Sequence, residues 1–151
     1  AGVGVGFHKE LTGRENAYLY GALMGRTTEQ IDELIEEIQD FAELDHHFDR
    51  PIRTYSSGMK SRLGISVATA FKPDLLLIDE VLGVGDASFR KKSENRIFEL
   101  IQESGTVIVV SHSMQLLKNI CDKVILVEGG EILNDGEPKE IIEQYLDLVI
   151  E

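Results

Sequence analysis

The sequence predicts an α/β domain. Three observations carry that prediction. Leu75-Leu76-Leu77-Ile78 and Val107-Ile108-Val109-Val110 are continuous apolar runs without alternation, the pattern of short strands buried on both faces in a mostly parallel sheet covered by helices. A helical stretch over about 88–103 separates them, stopping near Gly105. Ile31, Leu34, Ile35, Ile38, Phe41 and Ala42 recur at helical spacing with acids on the opposite face, which makes an amphipathic helix.

The remaining elements follow in order. Residues 1–7 alternate glycine with valine and read as a strand end entering a loop; the glycine spacing is not that of a phosphate-binding loop. Thr12 with Glu15, and Thr27 with Gln30, are capping-box pairs that open two helices, the first ending at Gly25. Asp45-His46-His47-Phe48-Asp49 reads as a solvated turn, because adjacent histidines rarely share a metal and no spaced third ligand is nearby. Small hydroxyl and glycine residues at 56–58 precede the apolar-periodic Leu63, Ile65, Val67, Ala68 and Phe71, so a helix starts there. Lys72-Pro73-Asp74 ends it and hands over to the first strand. Past the second strand come a helix to Ile120, strands over 123–127 and 131–133 joined by Gly129-Gly130 as a hairpin, and a last helix opened by Pro138 with Ile141, Ile142, Tyr145 and Leu146 inward.

Composition bounds the function. The 151 residues suffice for one domain with a real core. The net charge of −12 argues against a general nucleic-acid binder, which needs a basic face. Local phosphate binding by backbone N–H groups and a metal stays open. A single cysteine, Cys121, permits no internal disulfide and fits a reducing compartment; as a side chain it reads as a small apolar residue. No apolar run reaches transmembrane length. The chain opens at Ala1 in mid-pattern and reads as a piece of a longer protein.

Three places carry chemistry. Asp79 and Glu80 arrive together at the carboxyl end of a strand, where open α/β sheets bind ligands. Adjacent acids there call for a neutralising partner, and magnesium with a polyphosphate is the usual one; a solvated acidic turn is the plainer alternative. Ser56, Ser57 and Gly58 stand at a helix N-terminus, which either binds an anion or is simply capped by serine. His112 falls just past the second strand, parallel in position to Glu80; alone, a histidine there is more often structural than catalytic.

In this order and spacing, Tyr55-Ser56-Ser57-Gly58-Met59, the strand ending in Asp79-Glu80, Gly83-Val84-Gly85-Asp86 and His112 together resemble the ATP-binding subunit of ABC transporters. The resemblance runs from Phe7 to about Tyr145. It aligns 55–59 with the signature, 75–80 with Walker B, 83–86 with the D-loop, and His112 with the switch histidine. The implied fold is the P-loop NTPase-like ABC ATPase domain: a mostly parallel sheet flanked by helices, plus a helical signature subdomain. It divides as a signature part over about 7–72 and a Walker B, D-loop and switch core over 73–151. Ser57, Met59 and Val81 depart from the usual signature glycine, glutamine and post-Walker proline. Those variants, with 7–16, resemble the branch that exports O-antigen, capsule or teichoic acid. No glutamine stands near 3–6 for a Q-loop, and no Gly-rich loop ending in Lys-Ser/Thr occurs in the sequence, so the Walker A part is lacking.

The resemblance implies ATP and Mg2+ as cofactors, with Asp79 holding magnesium through water. It makes Glu80 the base toward water and His112 the γ-phosphate contact. Ser56, Ser57 and Gly58 bind the nucleotide of a second subunit, and Asp86 sits at the dimer contact. It further implies a homodimer, an integral membrane permease partner near 7–24, no nucleic acid, and the cytoplasmic face of the membrane. The full-length protein is then an ATP hydrolase powering glycan export, with this stretch alone inactive. A non-hydrolysing, nucleotide-responsive regulatory module is the alternative, favoured by the absent lysine and glutamine.

Overall fold

Local sequence sets the first two helices in the computed structural model, which describes residues 6–79 and 87–150. Helix α1 (Gly13–Leu23) is capped by Thr12, whose hydroxyl accepts from Glu15 N while the Glu15 carboxylate accepts from Thr12 N. Helix α2 (Thr28–Ala42) repeats the device with Thr27 and Gln30. Both capping boxes satisfy backbone donors that a helix start leaves unpaired. The chain then makes two short 3-10 turns, Asp45–His47 and Ile52–Thr54, before helix α3 (Ser57–Ala70).

The structure divides into two compact units, residues 1–108 and 109–151. In the first, α1, α2 and α3 close around Ala17, Ile31, Ile38, Phe48, Leu63 and Val67, all at most 2% exposed. The turn over 45–49 is therefore not wholly solvated. His46 is exposed, but Phe48 fills the core, because the 3-10 geometry turns it inward.

Asn16 organises the entry to α1. It is fully buried, accepts from His8 N at 2.7 Å, and donates to the carbonyls of Thr12 (2.8 Å), His8 (3.1 Å) and Leu11 (3.3 Å). The loop so pinned lies beside the approach to α3: Ile52 N donates to Leu11 O at 2.9 Å and Arg53 N to Lys9 O at 3.0 Å. Gly13 is required where these segments meet, since an added Cβ would stand 2.9 Å from Phe48 O and collide with the Tyr55 hydroxyl.

Strands β1 (Leu75–Asp79) and β2 (Thr106–Val110) pair as a two-stranded sheet and are connected through α4 (Ala87–Glu103). Thr106 N donates to Asp74 O at 3.2 Å, so the strands meet start to start and run in the same direction, as a helical crossover permits. The expectation that they are buried on both faces is corrected. Leu75 and Leu77 are 49% and 57% exposed, and Ile108 and Val110 are 52% and 60%. Alternate side chains are half-covered and the others open, because a two-stranded sheet with one covered face leaves every second residue outside.

In the second unit, α5 (Met114–Ile120) precedes the hairpin of β3 (Val124–Glu128) and β4 (Glu131–Gly136). Gly129 and Gly130 both take positive φ (60° and 87°), the left-handed geometry of a tight two-residue turn. β4 runs three residues beyond its expected end, with a register shift between Leu126 and Val127. Helix α6 (Pro138–Ile150) buries Ile141 and Ile142 as expected. Leu146 is 42% exposed rather than inward: four residues past Ile142, it has passed the hairpin that covers the first turns.

Candidate functional site

The site residues sit at three element ends. Ser56 caps α3 in an extended conformation (φ −66°, ψ 166°), and its Oγ accepts from Met59 N at 3.2 Å. That bond uses the oxygen as acceptor and leaves the hydroxyl hydrogen to donate elsewhere. Ser56, Ser57 and Gly58 are all exposed, so the first N–H groups of α3 face solvent. An added Cβ on Gly58 would meet only Ser56 Oγ, at 3.9 Å. Nothing within the described chain requires glycine there; what it provides is unobstructed approach to the backbone. No acid stands in the first turn of α3, so the dipole and the free donors both favour an anion.

Tyr55 fixes this helix start. Its ring is buried and its hydroxyl donates to His47 O at 2.7 Å. Burial raises its phenol to about 12. The chain thus enters α3 from an anchored residue, and the exposed triplet follows at once.

Asp79 is the last residue of β1 and is exposed. Among the described residues no group of three or more His, Cys, Asp or Glu converges to hold a metal by itself. Magnesium bound with a nucleotide needs only one or two protein carboxylates, the rest being water and phosphate oxygens. An exposed carboxylate at a strand's carboxyl end fits that requirement. Glu80 and Asp86, expected as base and dimer contact, lie outside the described residues.

His112 is exposed just past β2, in the second unit. The serines on either side hold its loop: Ser113 N donates to Ser111 Oγ at 3.0 Å, and Ser113 Oγ accepts from Leu116 N at 3.3 Å as the cap of α5. Sequence reasoning passed over Ser113, although serine directly before a helix was signal enough. The structure brings Ser56, Ser57 and Gly58 together on one helix start, and leaves Asp79 and His112 on separate strand ends.

Residues 4–83 match the ABC transporter family, slightly more than half of the chain. The chain belongs to that family. Among relatives, the O-antigen export system ATP-binding protein RfbB of Klebsiella pneumoniae is 45% identical over 143 residues, 95% of this chain and 58% of that protein. The teichoic acids export ATP-binding protein TagH of Lactococcus lactis is 41% identical over 140 residues, 93% of this chain and 30% of that protein. The chain therefore spans little more than half the length of the first and under a third of the second. A solved ATP-binding subunit of an ABC transporter shares the fold, with TM-score 0.71 at 20% identity over 92% of this chain and 58% of that one. The chain thus has the α/β fold of an ABC ATPase domain, covering part of it.

Proposed function

We propose that this chain is the signature and Walker B portion of an ATP-hydrolysing subunit that powers export of a polysaccharide or lipid-linked glycan across the cytoplasmic membrane. The observation that carries the reading is the open N-terminus of α3, where Ser56, Ser57 and Gly58 offer an exposed hydroxyl and backbone donors without a nearby acid. The export systems named for the relatives support the substrate class. The division at about residue 72 into signature and core parts belongs to the same proposal.

Bound ATP with its magnesium supplies the phosphoryl group and most of the charge to be managed. The residues divide the remaining work. Asp79 would help hold the magnesium. Glu80 takes the proton of the attacking water, and His112 donates to the phosphoryl oxygens. Ser56, Ser57 and Gly58 donate to the same oxygens across a homodimer contact that includes Asp86, so each site is completed by a second copy. Preorganised donors around developing negative charge are the main contribution a protein makes to phosphoryl transfer. Leu19, Leu23 and Met24 leave an exposed apolar end on α1, which suits an integral membrane permease as partner. No helix among the described residues is long and apolar enough to cross a membrane, and the reading places the subunit peripherally on the cytoplasmic face.

The test is phosphate release by the full-length protein with and without Glu80→Gln. A positioned base contributes about 10²–10⁴-fold, so turnover should fall by that factor while ATP binding persists. Equal, negligible turnover in both proteins would overturn the hydrolase reading in favour of a regulatory, nucleotide-responsive module.

A further inference from the structure

Helix α2 ends on Glu43, which takes a left-handed conformation (φ 53°). That position normally goes to glycine, because a Cβ is disfavoured there. The chain places a glutamate there, and its carboxylate joins two other helices. Oε2 accepts from Arg62 Nη1 at 2.9 Å, and Oε1 accepts from Lys92 Nζ at 2.7 Å. Lys92 also donates to Phe41 O at 3.0 Å and lies 4.7 Å from the Phe41 ring centroid. The Arg62 guanidinium lies 5.0 Å from the Phe89 ring centroid, and Phe41 meets Phe89 edge to face at 5.7 Å. Arg96 closes the cluster by pairing with Glu37.

The helices so joined include the one that carries the proposed phosphate donors. Arg62 lies on α3, six residues past the Ser56 cap. Lys92 lies on α4, which begins one residue after Asp86 and seven after Glu80. We infer that Glu43 is a positioning residue: it bridges Arg62 and Lys92 so that the Ser56–Gly58 helix start is held in a fixed position against α4. This rests on the proposed function.

The geometry favours a positioning task over one of stability. The Glu43 and Lys92 side chains are partly exposed, so their ion pair is screened by solvent and adds little to folding, whereas Arg62 is mostly covered and its pair with Glu43 is less screened. A glycine at 43 would remove the backbone strain. A glutamate that sits against its own backbone preference while its carboxylate ties two other helices is a residue whose contacts hold a geometry.

The experiment compares the full-length protein with Glu43→Gly, Glu43→Gln, Lys92→Met and the double variant Glu43→Gln/Lys92→Met. Phosphate release is measured against ATP concentration, with thermal unfolding and ATP affinity in parallel. Expected are an unchanged unfolding midpoint for Glu43→Gly, unchanged ATP affinity and kcat lower by about 10- to 100-fold. The double variant should be no worse than the worse single one, since both break the same bridge. Unchanged kcat in folded variants would overturn the inference. So would a loss of turnover matched by an equal loss of folded protein, because that is a structural role only. If the unmodified protein fails to hydrolyse ATP, the proposed function fails first, and that outcome is distinct from both.

Discussion

Tyr55 stands directly before the exposed residues of the α3 start, in a setting that resists ionisation of its phenol. Burial is the main cause and raises it from 10 to about 12. An acid with a raised folded value keeps its proton longer when folded than when unfolded. Its contribution to stability is therefore complete below pH 10 and is lost as pH rises through about 12. Unfolding by urea between pH 8 and 12 should show a fall in midpoint that is steeper in the unmodified protein than in Tyr55→Phe. At pH 8 the variant should be weaker by about 1 kcal/mol, for the lost bond to His47 O. Parallel slopes above pH 10 would show that the phenol ionises as easily when folded. The sequence shows Tyr55 as part of a signature variant but not as an anchor, because its partner is a carbonyl eight residues away on a 3-10 turn. Asn16 was hidden for the same reason: its four hydrogen bonds go to backbone groups of residues 8–12, whose loop path no periodicity encodes.

Among elements, those whose determinants are local were the most legible. Thr12 with Glu15 and Thr27 with Gln30 act within one turn, so residue types at fixed spacing specify the helix starts. The strands were legible as apolar runs, but their exposure was not, because it depends on what covers the sheet. The bridge of Glu43, Arg62 and Lys92 was invisible, since it joins residues 19 and 49 positions apart. Helix α3 combines both situations: Ser56 is its cap by local rule and a phosphate donor by proposal. The two roles separate in the full-length protein. Ser56→Ala should cost about 1 kcal/mol of stability through the cap. Turnover at saturating ATP should fall more than that loss explains, because the remaining fold still presents Ser57 and Gly58 but not the Ser56 hydroxyl. Ser56→Asn, which retains a cap, should restore stability without restoring turnover. Recovery of turnover along with stability would reduce Ser56 to a capping residue.

For the whole molecule, the decisive feature is how unevenly it is covered. The helical core over α1 to α3 is closed, with large side chains such as Phe48, Ile31 and Leu63 inaccessible to solvent. The β1–β2 sheet is not: Leu75, Leu77, Ile108 and Val110 are each about half or more exposed, and each strand has an edge with no partner among the described residues. Open edges beside open apolar faces template pairing with another chain, since both the ladder and the face gain by being covered. The first relatives are nearly twice as long as the stretch they share with this chain. The 151-residue chain studied alone should therefore associate as its concentration rises. Light scattering should give a mass above 16.8 kDa that grows with concentration. Leu77→Lys with Ile108→Lys should reduce the association, because a lysine on a half-open strand face costs the monomer less than it opposes stacking. The net charge of −12 works against association at low salt, so added salt should strengthen it by screening. A monodisperse 16.8 kDa particle at all concentrations and salt levels would mean that the exposed sheet is covered from within the same chain in solution.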